Sequence, residues 1–158
     1  MLLIERDIRS LGGIASTAEL LRRGHTAEML WIWSRYGTII RIRKGWYANS
    51  DVPDDVLRAV RVGGRLACLS AAAHHGLVAQ SFFSLHVSVG RQSSRLRTAN
   101  DWKKRLVEHP DLDVVVHWTR IPLDGNRQAV SPEKAMRQLQ ICAHPESKAA
   151  ISESAANR

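Results

Sequence analysis

Leu3, Ile4, Ile8 and Leu11 recur at the spacing of one helix face, and the run stops at Gly12-Gly13. Ile14 follows as a short apolar peg. Ser16-Thr17-Ala18-Glu19 has the form of a capping box: Ser16 accepts from an amide while Glu19 reaches back to the cap. The helix it opens runs to about Arg23, before Gly24. Thr26 caps a third helix that continues to Tyr36 and Gly37, with Leu30 and Trp33 as its core contacts. There the period changes. Thr38 to Arg43 is β-branched and alternating, and Lys44-Gly45 turns the chain into a second strand, Trp46 to Ala48. Three short helices and a basic hairpin predict a winged helix-turn-helix over residues 1–50.

Asp51-Val52-Pro53-Asp54 is short, polar and proline-containing, and marks a boundary. Asp54 is placed to cap a helix that ends before Gly63-Gly64, and an Ala-rich helix runs from about Leu66 to His75. Leu85 to Val89 alternates as a strand, Arg91 to Asn100 reads as a loop, and Trp102 to His109 suits a helix. Val114 to Trp118 follows as a strand and Pro132 to Cys142 as a helix with proline in its first turn. A helix from Glu146 has few large apolar side chains to hold it. The expected class is α+β: an N-terminal winged helix-turn-helix, residues 1–50, followed by a small α+β domain, residues 54–158.

The chain has 158 residues, 44% hydrophobic and 24% charged, a globular composition. No apolar run approaches the roughly 18 residues of a membrane span. Glu5 and Asp7 interrupt the N-terminal stretch where a signal peptide needs an apolar core. A cytoplasmic location and no membrane partner are expected. The net charge of +8, with 18 Arg against 5 Lys, favours a polyanionic partner.

In a helix-turn-helix the third helix enters the major groove N-terminus first. With Leu30 and Trp33 inward, Ala27, Glu28, Trp31 and Arg35 fall on the outward face, below the cap residue Thr26. Arg35 reaches phosphate or a guanine edge, and Glu28 can accept from cytosine. Trp31 either stacks on the DNA or belongs, with Ile32, to an apolar face that contacts protein. Arg22 and Arg23 stand where backbone contacts are usual. On the hairpin, Arg41 and Arg43 share one face and Ile40 and Ile42 the other, with Lys44 at the tip. A second basic segment holds Arg91, Arg95, Arg97, Lys103, Lys104 and Arg105. It extends a footprint along phosphates, meets an acidic protein surface, or serves solubility. These residues predict a sequence-specific regulator that binds double-stranded DNA. The alternative is a protein-interaction module whose winged helix docks a protein partner.

The string from Gly24 to Tyr47, GHTAEMLWIWSRYGTIIRIRKGWY, resembles the N-terminal domain of AbiEi-family antitoxins of bacterial abortive-infection toxin–antitoxin systems. Gly12-Gly13 and Ser16 to Leu20 match the stretch before that family's second helix, and Arg41 to Tyr47 its basic wing. Ser70 to Leu77, Leu85 to Val89, Val115 to Trp118 and Ser131 to Ala135 resemble segments of its second domain. Family members carry several arginines on the groove helix, where this chain has Glu28, Trp31 and Ile32 and keeps Arg35. Many also continue into an endonuclease-like domain, and the resemblance leads to the expectation of a short form without it. The resemblance implies an autorepressor bound to its own promoter, with a nucleotidyltransferase-like toxin as a second partner and a part in phage defence.

Catalytic motifs are weak. Pro110-Asp111 with Glu146-Ser147-Lys148 spells a PD…ExK nuclease pattern, but the Glu-x-Lys follows a helix and His144-Pro145 instead of lying on a strand. His74, His75, His86, His109, His117 and His144 show no recognised ligand spacing. Ser70 lies outside any strand-turn elbow, and neither a P-loop nor GxGxxG is present. Cys68 and Cys142 give no disulfide framework, cannot alone make a zinc site, and read as buried thiols. The expectation is a non-enzyme with no catalytic residue, no metal and no cofactor.

Overall fold

The computed structural model describes residues 2–79, 84–120 and 124–156. Among them stand seven helices and two three-stranded sheets, an α+β fold. The first part runs α1 (Leu3–Ser10), β1 (Ile14–Ser16), α2 (Thr17–Arg22), α3 (Ala27–Arg35), β2 (Ile39–Arg43) and β3 (Trp46–Asn49). The second runs α4 (Asp54–Val62), β4 (Arg65–Leu66), α5 (Cys68–His74), β5 (Leu85–Gly90), β6 (Val114–Thr119), α6 (Pro132–Ile141) and α7 (Pro145–Ala156).

The capping box forms as its spacing requires: Ser16 Oγ accepts from the Glu19 amide at 3.3 Å, and Glu19 accepts from the Ser16 amide at 2.8 Å. Thr26 caps α3 at the Met29 amide. Leu30 is fully buried, Trp33 packs partly buried beside it, and Trp31 is 61% exposed. The apolar peg Ile14 belongs to a short strand that pairs antiparallel with β3, giving the sheet order β1-β3-β2.

The second sheet has the order β4-β5-β6, antiparallel between β4 and β5 and parallel between β5 and β6. In this register Ser88 stands opposite His117 and His86 opposite Val115, so His86, Ser88 and His117 share one face. Leu85, Val87 and Val89 alternate onto the other and are buried. Helix α4 packs against β2 of the first sheet and against β4 and β5 of the second; α5 packs on β5 and α6, and α7 covers both helices. Ile14, Ile42 and Ala48 join Val56, Leu69, Val87 and Leu139 in one large core, while Ile4, Ile8, Leu20 and Leu30 form a smaller one under α1 and α3.

Four local expectations are corrected. Residues 102–109 form turns, not a helix. Thr98 Oγ1 accepts from the Asp101 amide and Asp101 Oδ1 from the Lys103 amide, offering the backbone a local alternative to helical bonds. Asp54 is the first helical residue of α4, not its cap, and Pro53 holds the cap position. The Ala-rich helix begins at Cys68 because Arg65 and Leu66 pair with Ser88 and Val87 as a strand. In the hairpin, an irregularity between Arg41 and Arg43 breaks strict alternation. Ile42 is buried and Arg43 half-buried, while Arg41 stays exposed, so the two arginines do not share an environment. Among the described residues no helix is long and apolar enough to cross a membrane.

Candidate metal centre

Four side chains from four elements converge at one end of the second sheet. Cys68 opens α5, His86 lies on β5, His117 on β6, and Cys142 follows the last residue of α6. Their donor atoms all lie within 4.8 Å of one another. Cys68 and His86 are fully buried, whereas His117 and Cys142 are partly exposed. Cys68 is the one non-glycine residue with positive φ, +45°, among the described residues. That conformation costs on the order of 1–3 kcal/mol and persists only where its surroundings enforce it. Its amide donates to Gln138 Oε1 on α6 at 2.9 Å, which holds the start of α5 against that helix.

The orientation of His86 follows from its neighbours. Ser84 donates its hydroxyl hydrogen to the Glu146 carboxylate, which also accepts from the Ser84 amide at 3.0 Å. With that hydrogen committed, Ser84 Oγ can only accept from His86 Nε2, at 3.1 Å. The His86 proton therefore sits on Nε2, and the Nδ1 lone pair faces His117 Nε2 at 2.9 Å. The two rings stack with centroids 5.2 Å apart, and His144 meets His86 edge-on at 5.3 Å. Metal-ligating histidines usually donate their other ring N–H to a carboxylate, carbonyl or water, and here the Ser84 hydroxyl links His86 to the Glu146 carboxylate.

Burial, with the neighbouring His117 and His144, pushes His86 down to about 3, and burial lowers His117 as well. Both rings are thus in the neutral form that binds metals. Burial pushes the Cys68 thiol up to about 12, with Ser147, at 3.7 Å from its sulfur, opposing the shift. A cation would reverse that balance, because a coordinated thiol is deprotonated. The dimensions fit a tetrahedral ion: two nitrogens bound at about 2.0–2.1 Å would stand about 3.3–3.4 Å apart, a small opening of the His86–His117 pair.

The residues expected to face DNA fall into two groups. Arg22, Thr26, Ala27, Glu28, Trp31 and Arg35 are exposed along α2 and α3. Arg23 pairs with Asp7 at 3.5 Å, beside the buried His25–Asp7 pair at 2.8 Å. The hairpin and the second basic segment come together elsewhere. Arg41 lies over the Trp102 ring at 5.3 Å and Lys103 over it at 5.9 Å. Arg43 donates to the Arg61 and Arg95 carbonyls, Arg97 to the Lys103 carbonyl, and Lys104 pairs with Asp101 at 3.9 Å. Lys44 and Arg91 are exposed. None of these residues is among the four donors.

In the sequence the two cysteines as a pair and the histidines as a group show no ligand spacing, and nothing joins one group to the other. No two of the four lie closer than 18 positions apart, so no ligand knuckle was visible. The available signal was a histidine inside each of two apolar strands, LHVSV and VVVHWT, where an imidazole has to find buried partners.

No protein-family model and no curated protein matches the chain. The resemblance to AbiEi-family antitoxins is therefore corrected, and the repressor, antitoxin and phage-defence roles it implied fall with it. The donor cluster also overturns the reading of a DNA-binding regulator without chemistry of its own. Converging thiols and imidazoles make a plausible ligand set for a metal ion, which points toward enzymatic capability and away from the expected absence of it.

Proposed function

We propose that the chain is a zinc metalloprotein whose centre is Cys68, His86, His117 and Cys142. The observation that carries this reading is the convergence of the four donors within 4.8 Å. Two sulfurs with two imidazoles suit zinc and other soft-ligand ions, and do not suit calcium or magnesium. When bound, the ion supplies Lewis-acid chemistry and a positive charge that holds both sulfurs as thiolates. The chain's own residues do the rest. Glu146 and Ser84 fix the His86 tautomer, Gln138 anchors the backbone at Cys68, and the apolar core excludes water from Cys68 and His86. An open position for a substrate requires one donor to leave, and His117 and Cys142 are the two that solvent reaches.

Metal analysis of the chain purified without chelator tests this. About one zinc per chain is expected, and Cys68→Ser combined with Cys142→Ser should remove it while the far-ultraviolet spectrum is kept. Absence of bound zinc together with no thermal shift on adding zinc would overturn the reading.

For the finer architecture we infer a winged-helix arrangement over residues 1–50, supported by the order α1-β1-α2-α3-β2-β3 with β1 beside β3. The polar segment Asp51 to Asp54 supports a second unit over residues 54–158 that carries all four donors.

A further inference from the structure

Between the two sheets, and separate from the donor cluster, lies a cavity of about 500 Å³, within the range of small-molecule sites. Ile14, Arg43 and Trp46 of the first sheet line it, with Arg65 and Ser88 of the second and Arg127 from the segment before α6. Arg127 is held in two hydrogen bonds by Glu19, and Arg65 donates to the Asn126 carbonyl at 2.8 Å. Arg43 is placed differently. It is half-buried, its hydrogen bonds to the Arg61 and Arg95 carbonyls are both 3.4 Å long, and it forms no ion pair among the described residues. Bonds of that length leave most of its donor capacity unused. The charge acting on it is another cation, Arg97. Gly63 makes the position available, since a Cβ there would stand 2.9 Å from Arg43 Nη1.

A half-buried guanidinium with unused donor capacity is a recognition group for a phosphate. Ile14, Val60 and Trp46 make the remaining wall apolar and offer an aromatic surface.

We propose that the cavity between the sheets binds a mononucleotide-sized organic phosphate, with Arg43 on the phosphate and Trp46 against the planar base. Isothermal titration of the full chain with AMP, GMP, CMP and UMP tests it, with adenosine and inorganic phosphate as the two halves of the ligand. At least one nucleotide should bind one-to-one, and each half about tenfold or more weakly. Arg43→Gln should weaken binding about tenfold. Trp46→Leu should weaken the nucleotide and leave inorganic phosphate unchanged. If Arg43→Gln does not fold, Trp46→Leu carries the test. Binding should persist in EDTA; its loss there would move the ligand to the donor cluster and overturn the assignment. No binding of any nucleotide at millimolar concentration, full affinity in the variants, or equal affinity for benzoate would also overturn it.

Discussion

Ser84 Oγ accepts from His86 and donates to Glu146, so Ser84→Ala removes the link that fixes which His86 nitrogen faces the other donors. Loss of such a supporting bond typically costs about 10–100-fold in metal affinity. Competition with a chromogenic zinc chelator should show that loss in Ser84→Ala, and Ser84→Thr, which keeps the hydroxyl, should recover most of it. An unchanged affinity in Ser84→Ala would mean that His86 is oriented by packing alone. Individual residues were legible from the sequence only where their partners are local. Ser16 and Glu19 announce each other across three positions and meet as their pattern requires. Glu19 also binds Arg127, 108 positions away, and nothing near either residue marks the pair. The donors are of that second kind: Cys68 and His86 read singly as an inert thiol and a buried imidazole, and become a site only when α5 is packed beside β5.

The contact between α2 and the segment before α6 makes the junction of the two sheets sensitive to pH. The Arg127 guanidinium, then the Ser16 amide and hydroxyl, hold the Glu19 carboxyl down to about 2, with burial opposing. A carboxyl held below its unfolded value stabilises the fold above about pH 4.5, and that contribution is lost as pH falls toward 2. Glu19 is 20% and Arg127 34% exposed, so solvent screening reduces the pair to on the order of 1–2 kcal/mol. Urea midpoints should therefore fall more steeply from pH 5 to pH 2 in the parent chain than in Glu19→Gln, and parallel curves would show that the pair contributes nothing. Helices and hairpin strands were largely legible as elements, because caps, glycine stops and alternation act within a few residues. The segment 102–109 was not, since helix propensity there loses to turns that Thr98 and Asp101 close with their side chains. The short strand β4 was missed too. It exists because Gly64 lets the backbone approach β5: a Cβ there would lie 2.0 Å from the Ser88 carbonyl oxygen.

Across the whole molecule, one apolar core runs from Ile14 and Ile42 of the first sheet through α4 to Val87 and Leu139. The α+β class was legible because strand and helix periods alternate along the chain. The donor cluster was not, because it depends on the parallel pairing of β5 with β6 and on the ends of α5 and α6 meeting that sheet. Arginine-rich composition directed the reading to the surface, while the donors gathered in the interior. Cobalt titration of the reduced, metal-free chain addresses that interior directly. One equivalent should develop the intense visible bands of a tetrahedral ion together with thiolate-to-cobalt charge transfer, and zinc should abolish both. Weak octahedral bands without charge transfer, or an unchanged tetrahedral spectrum in a chain carrying both Cys68→Ser and Cys142→Ser, would contradict a metal centre built from these four residues.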